Sequence, residues 1–243
     1  MHSRIIEPLS SNESDSLGQR VVERVGCIEK SNERWNMSKI NETKRQEAEF
    51  HDHLRGDLKD DPYVTSNRKF YSITQSNVAY VKMWLAERCN GKRVLDYCCG
   101  DGGFTIWLAE AGANAHGIDI SPISIQNAVT EASRRGVASR AAFHVMDAEA
   151  TEFADSHFDY ILVHGVLHHL DLQRAYRELA RVLKPEGEII CTEALRHNVF
   201  IHLYRRMTPH LRTAWETNHI LGKKDIEMAS SLSERRASRL VRW

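Results

Sequence analysis

The sequence lacks most of the features that decide a protein's class at sight. No apolar run approaches the roughly 20 residues needed to cross a bilayer, so no membrane span is expected. Neither charge prevails, because Lys+Arg and Asp+Glu both total 33. Without a net field the chain has no general attraction for nucleic acid or an anionic membrane. The opening stretch, Met1 to Ser16, lacks the apolar core of a signal peptide, which leaves a cytoplasmic protein as the default. Cysteine is sparse and odd in number, five in 243 residues, and favours reduced thiols over a disulfide framework. Cys98 and Cys99 stand together, but no second Cys pair or Cys/His cluster follows at metal spacing. They are read as packing residues, and no metal is expected.

What is present is rhythm. Residues 1–40 are polar with few apolar anchors and are expected to form a flexible leader. From Asn41 a run of strong helix formers predicts a first helix. Val78, Val81, Leu85 and Arg88 recur at helical spacing and predict a second over 74–88, stopped by Asn90-Gly91. These two helices, within 41–90, are expected to form a lid. From Lys92 the period changes: "KRVLDYC", "NAHGIDI", "AAFHVMD", "FDYILVHG" and "GEIICTEA" read as five short strands. Helical runs separate them, one opening on Ser121 as a cap with Pro122 at the first helical position. Another carries Leu172, Ala175, Leu179, Val182 and Leu183 on one face. Strands alternating with helices predict an α/β, doubly wound, mostly parallel sheet over 91–195. Residues 196–243 read as a partial substrate or cap region ending in an Arg/Ser-rich disordered tail.

In such sheets a ligand sits beyond the carboxyl ends of the strands, near the first strand–helix turn. Gly100 and Gly102 lie in that turn, and Thr105 stands where a dinucleotide fingerprint would place a third glycine. Asp96, just inside the turn, would repel a pyrophosphate and suits a ligand that carries its own cation. Both features argue against a nicotinamide-dependent oxidoreductase. Asp119, at the end of the second strand, can accept two hydrogen bonds from a ribose diol. Asp147, closing the third, is placed to accept from an adenine amino group. Three aspartates ending three successive strands should line one rim.

With those residues in view, the chain resembles the class I S-adenosylmethionine-dependent methyltransferases, in their small-molecule branch. The resemblance rests on "VLDYCCGDGGFT", "GIDIS", "MDAEATEF", "FDYILVHGVLHHL" and "LARVLKPEGEII", and covers about Lys92 to Ala194. It implies S-adenosylmethionine as cofactor, with Gly100 and Gly102 packing the turn under its methionine half. Asp96 and the carbonyl of His164 would serve its ammonium, and Asp119 its ribose. Ile120 and Met146 would sandwich the adenine, whose edge Asp147 and the Ala148 amide would read. Tyr71 corresponds to an aromatic residue that closes on the methionine carboxylate. Cys98 stands where the family has Gly. The family's sheet ends in two further strands, the last antiparallel, and the tail shows no strand alternation, so the last one or two strands are expected to be missing.

Methyl transfer to a hydroxyl, amine or carbon acid also needs a proton removed, and histidine titrates in the useful range. His168 and His164 are the candidate catalytic residues, and His169 reads as a structural member of the "LHHL" corner. Glu193, His197, Asn198 and Tyr204 either face the acceptor or cap and pack a helix. Arg205, Arg206 and Arg212 either bind an anionic substrate or, as is more common for charges beside a helix, form a solvated face. Carboxylates after the fourth and fifth strands, expected of a metal-dependent catechol-type enzyme, are missing. The expectation is a metal-independent methyltransferase acting on a lipid, quinone or secondary metabolite. The alternative is a cofactor-binding but inactive protein.

Overall fold

The computed structural model describes residues 42–55, 75–193, 195–196, 203, 206–208, 220–234 and 239–242. All of these fall in the compact unit Met37–Trp243. Tyr71, His197, Asn198, Tyr204, Arg205 and Arg212 lie outside the described residues.

Among the described residues, six strands form one sheet in the order β3-β2-β1-β4-β5-β6. They are β1 (Arg93–Tyr97), β2 (Asn114–Asp119), β3 (Ala141–Val145), β4 (Phe158–His164), β5 (Leu183–Thr192) and β6 (Arg239–Arg242). Every described ladder is parallel. The order reverses beside β1, where strands on either side diverge and open a crevice at their carboxyl ends.

The central strands are buried on both faces, which explains why they read as near-continuous apolar runs. Along β1, Val94 enters the cluster that holds Ile106, Leu108, Ile125 and Ala128, whereas Leu95 and Tyr97 enter the opposite one with Phe158, Leu179 and Val182. Side chains alternating across the strand thus feed two separate helical layers. Among the described residues, two further helices precede the sheet, α1 (Glu42–Arg55) and α2 (Gln75–Ala86). Helices α3 (Gly103–Glu110) and α4 (Pro122–Arg134) belong to the first layer, and α5 (Leu172–Val182) to the second. Ser121 caps α4 by accepting from the Ser124 amide, with Pro122 following it. Asp171 caps α5 in the same way through the Arg174 amide.

Three expectations change. Of the two predicted lid helices, α1 borders the crevice, whereas α2 is a core helix. Its Val81 and Leu85 are fully buried with Trp84 against the first cluster, so the apolar period of α2 encodes packing on the sheet. Strand β5 begins at Leu183, directly after α5, and a register irregularity between Phe158 and Tyr160 takes up the Pro185–Gly187 segment. The tail, read as disordered, supplies a strand: β6 pairs in parallel with β5, Leu240 opposite Ile189. The expectation that the last one or two strands are missing holds, since no antiparallel strand joins the sheet among the described residues. The doubly wound sheet is as expected, with one strand more than the five read from the sequence.

Candidate active site

The carboxyl ends of β1 to β4 open into a cavity of about 300 Å³. Asp96, Cys98, Gly100, Asp119, Ile120, Met146, Asp147, Ala148 and His164 all line it, so residues drawn from four separate strand ends meet in one space. Gly102 and His168 do not line it. The geometry follows from register. Asp96 is the penultimate residue of β1 and Asp119 the last of the adjacent parallel β2, and Asp147 follows β3 by two residues, which brings three distant carboxylates to one rim.

Each aspartate is fixed differently. Asp96 is 4% exposed, and one of its oxygens accepts from both the amide (3.0 Å) and the hydroxyl (2.7 Å) of Thr105. Burial pushes its carboxyl up to about 6, against the pull of those bonds, and the charge of Asp119 adds to the rise. Thr105 is therefore a partner of Asp96 rather than a lapsed glycine. Asp119 accepts from the Gly100 amide at 2.8 Å and the Ser121 amide at 3.0 Å, which ties the glycine turn to the end of β2. Asp147 takes the ammonium of Lys44 at 2.6 Å on one oxygen and the Glu149 amide at 2.9 Å on the other.

The turn itself divides its labour. Gly100 lines the cavity with φ of +53°. Gly102 serves packing instead. A Cβ there would stand 2.7 Å from both Ala128 Cβ and Phe143 Cε1, so this glycine lets α3 approach α4 and β3. Cys98, which replaces the family's glycine, adopts a left-handed φ of +61°. Burial and then the charges of Asp119 and Asp96 drive its thiol well above the ordinary range. Cys98 lines the cavity as well, and its raised pKa favours the thiol over the thiolate.

Beyond β4 the histidines exchange their expected parts. His168 is 7% exposed and turned away from the cavity; its Nδ1 lies 3.1 Å from Glu193 Oε2. The other oxygen of Glu193 accepts from the Val166 and Leu167 amides at 2.5 and 2.6 Å. Burial opposes the ionisation of Glu193, yet His168 and these amides hold its pKa below the usual carboxylate value. Glu193 and His168 together clamp the 3₁₀ turn Leu167–His169 and leave His169 facing the cavity. His169 Nδ1 lies 2.9 Å from Glu47 Oε2. His164 also lines the cavity, its Nδ1 2.5 Å from Thr192 Oγ1, and burial lowers its pKa.

Sequence reasoning missed the contribution of α1. Lys44, Glu47 and His51 line the cavity from that helix. It is seated by Lys44 on Asp147 and Glu149, by Glu47 on His169, and by Asp52 on the Ser121 hydroxyl. Spacings of three or four residues placed these groups on one helix face, but their partners lie some 70 to 120 positions away. The expectation of no metal rested on the lone Cys pair and on the missing carboxylates after the fourth and fifth strands. It did not consider Glu47, His51 and His169, whose ligating atoms, one from each, lie within 4.8 Å of one another.

A methyltransferase-domain family model matches residues 89–232, more than half of the chain. A demethylmenaquinone methyltransferase from Geobacillus sp. (strain WCH70) is 34% identical over 107 residues, 42% of this chain and 45% of that protein. The chloroplastic tocopherol O-methyltransferase of Arabidopsis thaliana is 34% identical over 110 residues, 44% of this chain and 32% of the relative. The chain thus spans less than half the length of these relatives. The crystal structure of a SAM-dependent methyltransferase from Methanosarcina mazei is 27% identical with a TM-score of 0.50, covering 59% of this chain and 79% of that one. Sheet order, the rim of strand-end carboxylates and the family match agree: the chain belongs to the class I S-adenosylmethionine-dependent methyltransferases.

Proposed function

We propose that this protein transfers the methyl group of S-adenosylmethionine to a small-molecule acceptor, a lipid, quinone or secondary metabolite, bound between α1 and the Leu167–His169 turn. The observation that carries this reading is the convergence of Asp96, Asp119 and Asp147 with Gly100 on a single cavity. The donor set fits the cofactor. A buried carboxylate at Asp96 suits an ammonium, Asp119 keeps acceptor capacity toward a diol, and Ile120 with Met146 offers apolar walls to a purine. Asp147 is engaged by Lys44, so the Ala148 amide and the backbone of that turn would carry more of the adenine recognition than the Asp147 carboxylate. The Ala148 carbonyl is taken by the Tyr97 hydroxyl at 2.5 Å, which fixes the turn.

When bound, S-adenosylmethionine supplies an electrophilic methyl group on its sulfonium. The chain's work is to orient the acceptor, exclude water and take up a proton. His164 lines the cavity, is kept neutral by burial, and has its ring fixed by Thr192. It is the residue we assign to receive a proton from the acceptor. His168, held by Glu193 away from the cavity, is a positioning residue for the turn. Support for the acceptor class comes from the relatives, one named for demethylmenaquinone and one for tocopherol.

Radiolabel transfer from [methyl-³H]-S-adenosylmethionine to hydroxylated quinones and tocopherols tests the reading. Label in an extracted acceptor, abolished by Asp119→Ala, supports it. Cofactor binding without transfer to any acceptor would favour the inactive, cofactor-binding alternative.

A further inference from the structure

One cluster in the cavity is not used by that reading. Glu47 and His51, one helical turn apart, project from the same face of α1, and His169 meets them from the 3₁₀ turn. Glu47 Oε2 lies 2.9 Å from His169 Nδ1 and 3.8 Å from His51 Nε2. The two imidazole rings stand edge to face with centroids 5.3 Å apart. One ligating atom from each of the three residues falls within 4.8 Å of the others. Glu47 is 5% exposed, so a carboxylate is held out of water beside two imidazoles at the wall of a cavity that all three residues line.

We propose that Glu47, His51 and His169 bind a divalent transition-metal ion, with zinc the best match, and that its open coordination positions face the acceptor. Two imidazoles and one carboxylate form the ligand set of metal centres that keep a position for water or substrate. Imidazole selects zinc, cobalt or iron over magnesium and calcium, which prefer all-oxygen shells. The site is preorganised from both sides. Lys44 and Asp52 pin α1 over the rim, and Glu193 pins the turn that presents His169. The ligand this site would take is an acceptor with a hydroxyl or phenolic oxygen. That choice of acceptor rests on the proposed methyl transfer; the ion binding itself does not.

The test is calorimetric titration of Zn²⁺ into the full, tag-free chain, with binding of S-adenosylhomocysteine measured on every sample as the check of folding. Wild type is expected to take up one Zn²⁺ per chain at micromolar or better affinity. His51→Ala and Glu47→Gln should each weaken that event at least tenfold while S-adenosylhomocysteine still binds. A Co²⁺-loaded sample should show visible d–d absorption that His51→Ala removes. If wild type binds S-adenosylhomocysteine but no Zn²⁺, or if both variants bind Zn²⁺ as tightly as wild type, the proposal is overturned. Zn²⁺ uptake by wild type that both variants lose, where all three chains show the circular dichroism of a folded α/β protein but bind no S-adenosylhomocysteine, would support the metal site and count against the methyl-transfer reading instead.

Discussion

Thr105 donates both its amide and its hydroxyl to one oxygen of Asp96, at 3.0 and 2.7 Å, across the first turn of α3. This pair holds a carboxylate at the place where burial alone would keep it neutral, and its pKa rests at about 6. Below that pH a proton must leave Asp96 before it can balance a ligand's ammonium. Affinity for S-adenosylhomocysteine should therefore fall as pH drops from 6.5 to 5, by up to about tenfold per pH unit. Asp96→Asn should bind weakly with no such slope. A wild-type Kd that stays level from pH 7.5 to 5 would remove Asp96 from the binding site.

A second pH effect acts on the fold. His116 and His144 stack with ring centroids 5.7 Å apart, and His116 Nδ1 and His144 Nε2 are buried with no hydrogen-bond partner among the described residues. Burial pushes His116 down to about 4 and lowers His144 as well. Between about 4 and 6.5 the unfolded chain binds protons that the folded chain refuses, so stability declines as pH falls through that window. Asp96, with its raised pKa, works in the opposite direction between 3.8 and about 6, but one carboxyl faces two histidines. Urea unfolding should give a lower midpoint at pH 5 than at pH 7, and His116→Phe should shrink the difference. Equal midpoints in wild type would contradict the assignment.

Two glycines with nearly the same φ separate backbone strain from crowding. A Cβ added at Gly91, where φ is +72°, would meet no atom within 4 Å, whereas one at Gly102, where φ is +76°, would meet Ala128 and Phe143 at 2.7 Å. Gly91→Ala should cost only the left-handed penalty of about 1 kcal/mol. Gly102→Ala adds overpacking and should cost about 3 kcal/mol or more. Denaturant midpoints of the two variants measure the gap, and equal losses would mean that α3 can shift away from α4.

Cys98→Gly restores the residue of the family pattern at a left-handed position. Relief of about 1–2 kcal/mol of strain opposes about 0.5–1 kcal/mol of added unfolded-state entropy and the loss of a buried thiol. The expected net change in stability is within about 1 kcal/mol, with S-adenosylhomocysteine bound no more weakly than by wild type. A tenfold loss of affinity would give the thiol a role in the site that its packing does not explain.

Much of the core was legible because parallel strands buried on both faces are written as apolar runs, each closed by its own polar residue. Asp96, Asp119 and Asp147 announce the rim for that reason, and Ser121-Pro122 announces α4. Which of the adjacent His168 and His169 faces the cavity was not legible. Successive residues of a 3₁₀ turn point about a third of a revolution apart, so one of His168 and His169 must turn inward. Glu193, some 25 residues away, decides that it is His168. Lys44, Glu47 and His51 were hidden for the same reason, since helix period marks a face and not what lies opposite it. Strand β6 is four residues long, too short to show alternation against its Arg/Ser-rich surroundings.

The central claim is that the strand-end carboxylates form a cofactor site, and calorimetric titration of S-adenosylhomocysteine into wild type and Asp119→Ala tests it most directly. One site per chain is expected for wild type, with binding at least about tenfold weaker once Asp119 is removed, the loss of charge-assisted hydrogen bonds worth about 1.5–3 kcal/mol. Absence of binding to folded wild type, or an affinity unchanged in Asp119→Ala, would contradict it.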